Sequence, residues 1–552
     1  MNNLLHRYLF ICVMALMFLM LSCDQTDHTI ADDPYAGGRQ QLGIQLLGDA
    51  PVPSAAYPGD TVVFNSKGLL QWCDTENKSY EFDFYLADEK SKIAEVTETS
   101  ISIVVPENVS TGITYILMQG QVFYGPRLTV LGNIRVDNEY GIRTGVIGEL
   151  LCYLPHRDGS GDVYLAGSFS NINGQPGNSI ALADRRGNLM ANNSGKFDVS
   201  TPVNSGGSVT SMSYFSDGRV LISGTISSYQ NPGNPGGTNY LANHVMWVNN
   251  ITVLNSNFSA LIVVDTMYTN GVMQRINTPV FNGGTDQNII RSFVTSDDNI
   301  IAVSNAAVYC RYNYKLSNSF GYATELSPAG NVMKMNGEGE LDTEYRKNLS
   351  GPNAMILDAY RDRNEGLFIT GEFTTFDGKN ASRIVKLTPS GDRDETFMGN
   401  IGAGANGAID MIRYNETLEK IVLTGKFTQF NGQPRNGVAI LNSDGTTDNF
   451  NIREISGGYV NFAAALNCEK VVISGTFTKY NGISRGGFLI LEMDGEAVQN
   501  YNMPGVFAGQ LQQVMEIETT MGTYGLLLMG NFNRFNGERI NNIVQIQVDF
   551  AD

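Results

Sequence analysis

The sequence predicts an all-β chain, on three observations. Of its 552 residues 60 are Gly, only 17% are charged and 10% are aromatic, and short β-branched and aromatic runs alternate with Asn-Gly and Asp-Gly turns, the pattern of strands joined by tight hairpins. No stretch of useful length carries its apolar residues at the helical period. A short string built around glycine and phenylalanine recurs down the C-terminal three-quarters, and its period predicts how the strands are grouped.

The chain opens on a weakly basic leader with Arg7, then thirteen apolar residues, 9–21. That length suits the h-region of a signal peptide and falls short of the ~20 apolar residues a spanning helix needs. Met20-Leu21-Ser22 before Cys23 resembles a bacterial lipobox. The resemblance implies removal of residues 1–22, acylation of Cys23 and a lipid anchor in the outer membrane. Several acyl chains on one residue hold where a single chain is marginal, because each buried CH₂ adds about 0.8 kcal/mol. An ordinary secretory peptide with an incidental Cys is the alternative. Residues 23–39 are polar and acidic with no apolar period, and read as a disordered tether. An acidic stretch just after the lipidated Cys resembles the surface-export signal of Bacteroidota lipoproteins, which implies a protein facing the cell exterior.

Residues 40–132 carry strand-like runs in the order Pro58-Gly-Asp-Thr-Val-Val-Phe64, Ile101-Ser-Ile-Val-Val-Pro106 and Ser110-Thr-Gly-Ile-Thr-Tyr-Ile-Leu117. This order resembles transcription-factor-type immunoglobulin (IPT/TIG) domains. The resemblance implies an immunoglobulin-like sandwich serving as a stalk, and a span of roughly 100 residues suits one.

From about residue 133 onward the recurring string is Gly-x-Phe-x-x-aromatic-Asn-Gly. It occurs at Gly167, Phe169, Ile172, Asn173 and Gly174, and again at Gly371, Phe373, Phe376, Asp377 and Gly378. It returns at Gly425, Phe427, Phe430, Asn431 and Gly432, at Gly475, Phe477, Tyr480, Asn481 and Gly482, and at Gly530, Phe532, Phe535, Asn536 and Gly537. Weaker copies stand at Gly224 and Asn305. The seven markers lie 57, 81, 66, 54, 50 and 55 residues apart. Each unit holds four strand-like segments with short turns, and tandem four-stranded units of about 50 residues read as propeller blades. Seven markers predict a seven-bladed β-propeller over residues 133–552. The last unit lacks a fourth strand, so a strand from residues 127–136 is expected to close the ring. The units resemble the delta-60 repeat β-propeller family of bacterial secreted proteins over roughly residues 140–550. That family is tied to no single activity, so the resemblance implies fold rather than function.

Composition excludes several functions. The net charge is −18, and −19 once residues 1–22 and their one Arg are gone, which argues against binding nucleic acid. Cys73, Cys152, Cys310 and Cys468 are scattered with no CxxC, and read as free thiols rather than a zinc site or a disulfide framework. The expected folded part has only two histidines, His156 and His244, and no His-Glu-x-x-His, Gly-x-Ser-x-Gly or phosphate loop. No catalytic residue, metal ligand or cofactor is therefore assigned. Asp158-Gly-Ser-Gly-Asp162 has the spacing of part of a calcium loop, but its place in the unit favours a hairpin turn. The recurring aromatics read as core, since packing repeats with the blade whereas binding residues vary. Arg435 and Arg485 are expected to pair with backbone or carboxylates between blades.

Where the repeat breaks, two insertions stand out: residues 229–240, bounded by Tyr229 and Tyr240, and residues 311–322, with Tyr312, Tyr314 and Tyr322. Long departures from a repeat fall in loops of one face, commonly the binding face. These five tyrosines are the candidate ligand or partner contacts, and packing on their own blade is the alternative. The architecture resembles the accessory lipoproteins of starch-utilisation-type transporters. It implies a surface protein that captures a glycan or peptide, or docks on such an importer, without catalysis. A propeller glycosidase or lyase with paired carboxylates, and an adhesive scaffold, are the rival readings.

Overall fold

Alternation builds the N-terminal region. In the strand Thr61–Lys67 every second residue is buried, so Val62 and Phe64 turn inward while Thr61 and Val63 face out. The computed structural model describes residues 42–549 except 75, 177–178, 191–206, 226–227, 230–239, 242–250, 255–260, 270–271, 280–282, 319–320 and 338. At 228–283, and at 312, 314, 315, 317, 318, 321 and 322, it describes backbone alone. The described residues from Leu46 onward hold together as one unit. Hydrogen bonding in the N-terminal region links, in order, Thr61–Lys67, Ser100–Val104, Glu89–Val96, Asp83–Leu86, Gly112–Met118, Gln121–Val130 and Ala55–Ala56. The inward residues Phe64, Phe84, Ile101, Ile103, Ile116 and Leu128 are all inaccessible to solvent. Burying a large apolar side chain of this kind contributes about 1.5–3 kcal/mol.

Seven antiparallel sheets of one plan follow, each with an inner, a middle and a third strand in that order. They are Val146–Pro155, Val163–Ile172 and Ile180–Ala183; Ser208–Tyr214, Val220–Thr225 and Ile251–Leu254; and Ile289–Val294, Ile300–Ser304 and Val332–Met335. Next come Ile356–Arg361, Leu367–Gly371 and Ile384–Leu387, then Ile409–Asn415, Lys420–Gly425 and Val438–Asn442. The last two are Val460–Leu466, Lys470–Gly475 and Phe488–Glu492, and Ala508–Glu518, Tyr524–Phe535 and Ile543–Val548. Each inner strand lies beside the next, and the seventh lies beside the first. The strands between are covered on both faces, which is why they read as unbroken apolar runs. One short helix, Glu395–Ile401, follows the fourth sheet, N-capped by Asp394 and burying Phe397 and Ile401. Seven residues are too few to show a helical period in the sequence.

The recurring string has two structural causes. A β-bulge interrupts the inner strand at the same place in all seven sheets, and it brings a carbonyl against the first Gly. A Cβ on Gly371 would lie 2.1 Å from the Met355 oxygen, and one on Gly425 2.2 Å from that of Ala408. The Asn-Gly pair forms a hairpin turn with both residues at positive φ, 50° and 71° at Asn431 and Gly432, as a type I′ turn requires. The Asn also reaches back: Asn431 Oδ1 accepts from Gly404 N at 2.9 Å, and Asn536 Oδ1 from Gly505 N at 2.8 Å. The aromatics of the string are core, as expected: Phe373, Phe376, Phe427, Phe430, Phe477, Tyr480, Phe532 and Phe535 are each at most 2% exposed.

The missing strand of the last unit comes from the expected stretch. Ile134–Val136 pairs antiparallel with Ile543–Val548 in the register Ile134 to Val548. Asp137 N donates to Gln545 O at 2.9 Å, and the Asp137 carboxylate accepts from Thr520 N (3.2 Å), Thr520 Oγ1 (2.7 Å) and Gln545 Nε2 (3.2 Å). A cavity of about 720 Å³ lies beside this seam. On the axis the bulges turn carbonyls inward and arginines meet them. Arg291 Nη1 donates to Thr210 O, Arg413 Nη2 to Gln512 O, and Gln513 Nε2 to Leu151 O. Asp358 sits between the two arginines, 2.9 Å from Arg291 Nη2 and 2.9 Å from Arg413 Nη1. Burial pushes the Arg413 guanidinium below its ordinary pKa, and Asp358 pulls the other way.

Candidate functional site

Register creates the site. Tyr115 in Gly112–Met118 stands directly opposite Tyr85 on one neighbouring strand and Tyr124 on the other, so three rings form a row across three strands. Tyr85 and Tyr115 stack at 4.9 Å and 11°, and Tyr124 meets Tyr115 edge-on at 6.1 Å and 63°. Their faces point away from the buried residues of the N-terminal region, together with Ile113 and Val122. Tyr124 is 71% exposed, and Ile113 and Val122 are also exposed. Tyr115 donates to Asp88 Oδ1 at 3.2 Å. Burial, and secondarily the Asp88 charge, push its hydroxyl up to about 12.

Tyr115 and Tyr124 of this row stand on one wall of a groove of about 630 Å³. The opposite wall comes from the sixth and seventh sheets: Phe477 of the recurring string, Arg485 after its turn, and Val506 and Phe507 leading into the seventh inner strand. Hydrogen bonds fix the walls together. Thr111 N donates to Met503 O at 2.8 Å, Ser110 Oγ to Asn502 O at 3.1 Å, and Ser484 N to Glu89 Oε1 at 3.1 Å. Arg485 Nη1 donates to Ser110 Oγ (3.1 Å) and to the oxygens of Asn108 and Ser484, both 3.3 Å. Arg485 thus anchors the N-terminal region instead of pairing two sheets. Arg435 bonds Pro434 O at 3.0 Å. Burial pushes the Arg485 guanidinium down to about 10, opposed by the Glu89 charge. The seam cavity is larger, but it has no row of aromatics, and Asp137 on its lining is used in closure. The groove is the better binding surface.

The residues singled out in the sequence lie elsewhere. Residues 308–328 form a long hairpin, Val308–Asn318 against Gly321–Pro328, where a loop was expected. Ser228–Tyr229 likewise pairs with Tyr240–Leu241. The side chains of Tyr229, Tyr240, Tyr312, Tyr314 and Tyr322 lie outside the described residues, as does Cys23. Tyr309, just before the second insertion, is core, 4% exposed, with its hydroxyl on Gly339 O at 2.8 Å. The groove had a signal in the sequence: Gly112–Met118 is apolar on both faces, not one. The rings themselves come from three strands and share no motif.

Other chemistry is sparse. The stretch 158–162 is a hairpin turn, with Ser160 N on Asp158 Oδ1 at 2.9 Å and His156 N on Asp162 O at 2.8 Å. Hydrogen bonds from Ser160, with a smaller contribution from His156, hold Asp158 down to about 2. Among the described residues no group of three or more His, Cys, Asp or Glu could hold a metal. Among the described residues Cys73, Cys152, Cys310 and Cys468 form no disulfide, and Cys152 and Cys310 are buried. Among the described carboxylates Asp410 alone is pushed above its ordinary range, by burial and then by Glu372, with Lys426 opposing. No helix among the described residues is long and apolar enough to cross a membrane.

Two family profiles match parts of the chain. One, described as Domain of unknown function (DUF5122) beta-propeller, matches residues 367–397 and 420–450. Those spans fall in the fourth and fifth sheets, which are therefore repeats of β-propeller kind. The other, Domain of unknown function (DUF5008), matches residues 19–126. No curated protein matches the chain. Among solved structures, an auxiliary nutrient binding protein from Bacteroides ovatus ATCC 8483 is similar at 10% identity and TM-score 0.27, over 92% of this chain and 98% of that one. Another with the same description, from Bacteroides thetaiotaomicron VPI-5482, gives 10% and 0.32 over 91% and 97%. The WD40 β-propeller domain of Doa1 gives 12% and 0.38 over 75% and 97%.

Proposed function

We propose that the protein is a non-catalytic accessory lipoprotein of the outer membrane, anchored through Cys23 and facing the exterior, that holds a polymeric nutrient in the groove beside a starch-utilisation-type importer. In this reading residues 1–22 are the signal peptide and 23–39 the tether. Residues 40–132 are an IPT/TIG-like immunoglobulin sandwich, and residues 133–552 a seven-bladed propeller of delta-60-type repeats. The observation that carries the binding role is the pair Tyr115 and Tyr124 along an open groove, with Tyr85 stacked behind Tyr115. Flat rings with polar tips suit stacking on glycan rings or peptide side chains, and exposed aromatics in a cluster mark interaction surfaces. Retardation of the pure protein in polysaccharide- or peptide-containing gels tests it. Tyr124→Ala should weaken binding by about 1–3 kcal/mol with the fold intact. Unchanged binding in that variant would move the site away from the groove.

One observation favours a second reading, an enzyme with paired carboxylates: Asp410, raised in pKa with Glu372 acting on it. A carboxyl whose pKa is raised is better suited to serve as a general acid. Product release from a polymer by the pure protein, abolished in Asp410→Asn, would replace the binding reading with this one.

A further inference from the structure

We propose that the groove selects a polysaccharide bearing carboxylates, a uronate polymer, and that Arg485 reads the charge. The inference rests on the binding role above and adds its ligand class. Arg485 lines the groove and is only 6% exposed. Its protein hydrogen bonds all leave from one nitrogen, Nη1, and go to two carbonyls and a hydroxyl. Among the described residues no carboxylate forms an ion pair with it, and Glu89, whose charge acts on it, has Oε1 taken by Ser484 N. Taking a charge out of water is costly unless a counter-charge is supplied. The described residues supply none in contact, and the edge formed by Nε and Nη2 is left for a partner. That edge matches a planar carboxylate through two parallel hydrogen bonds.

The neighbouring groups favour a sugar acid over an acidic peptide. Gly112–Met118 is already paired on both sides, by Asp83–Leu86 and Gln121–Val130, so this wall presents a sheet face and no free edge for a peptide main chain. Tyr124 offers a flat face to a pyranose ring, and the Asp88 carboxylate accepts from hydroxyls. The net charge of −19 opposes a polyanion at long range. Such repulsion is screened beyond about 10 Å at 0.1 M salt, whereas a contact with a buried guanidinium is screened much less.

The test uses the soluble Cys23→Ser chain in affinity gels and calorimetry at 0.1 M salt. Polygalacturonate, alginate and a glucuronate-bearing xylan are each compared with their carboxyl-reduced forms. At least one acidic polymer should bind about tenfold more tightly than its reduced form. Arg485→Gln should bring that ratio to within about twofold, while Tyr124→Ala should weaken both forms alike and keep the ratio. If every reduced polymer binds as tightly as its parent, or if Arg485→Gln keeps the preference, the charge reading is wrong and the binding role stands. If none of the polymers, acidic or reduced, binds, both fail. Poly-glutamate binding more tightly than every uronate would show an acidic-peptide site instead. Arg485→Gln can loosen the contacts to Asn108 and Ser110, but the acidic-to-reduced ratio of the unsubstituted groove is free of that effect.

Discussion

Asp358 holds one carboxylate between Arg291 and Arg413, guanidiniums of the sheets on either side, and is nearly inaccessible. Asp358→Asn would leave the two cations facing each other with only carbonyls to balance them. Breaking a buried pair from one side costs about 3–5 kcal/mol. Urea denaturation should therefore show a loss of that order. Arg363→Ala, which removes exposed pairs to Glu416 and Glu419, should cost less than about 1 kcal/mol. Equal losses in the two variants would mean the axial network contributes nothing to stability. Single residues were legible only where they repeat. The eight aromatics of the string read as core because their recurrence matches the sheet period. Arg291, Asp358 and Gln513 share one place as well, the residue just after the inner-strand bulge. The residue type changes from sheet to sheet, so no motif marks them.

Counting strands exposed the gap in the last unit, and the chain fills it with Ile134–Val136, only three residues long. So short a ladder depends on its side-chain latch. Asp137 satisfies the Gln545 amide and both donors of Thr520, and each buried group left without a partner costs about 1–3 kcal/mol. Asp137→Ala should speed hydrogen exchange in residues 543–548 at least tenfold, ahead of exchange in the fourth and fifth sheets. Uniform acceleration everywhere would mean that the closure is not a separate element. The insertions were misread at this scale. The hairpin 308–328 read as a loop because it departs from the repeat, although Cys310, Tyr312, Tyr314 and Leu316 alternate with Arg311, Asn313, Lys315 and Ser317 at the strand period. One of its pairing partners, Gly283–Thr285, lies outside the insertion. The aromatic row was missed for a different reason: a row depends on the register of three strands, and register is not written in any one of them.

Across the whole molecule the grouping of strands was legible from the repeat, whereas the seating of residues 108–111 on the sixth and seventh sheets was not. Ser110 and Asn502 are 392 residues apart, and neither belongs to the recurring string. The same packing sets a limit at high pH. Tyr115, Tyr164, Tyr309, Tyr345, Tyr414 and Tyr480 are each pushed up to about 12, with burial the largest cause in every case. In the unfolded chain these phenols ionise near their ordinary value of about 10. Between the two values the unfolded state has released protons that the folded state still holds, so stability falls as pH rises. This contribution is present in full below about pH 10 and is lost by about pH 12. The six rings span the N-terminal region and sheets from the first to the sixth, so the loss should be felt by the unit as a whole. Thermal midpoints by circular dichroism should drop steeply from about pH 10 upward. Tyrosinate absorbance in the folded protein should lag behind that of the protein in guanidinium until unfolding releases it in one step. Absorbance that follows the guanidinium curve from the start, with a flat thermal midpoint, would mean that these tyrosines stand in water and the interior drawn around them is wrong.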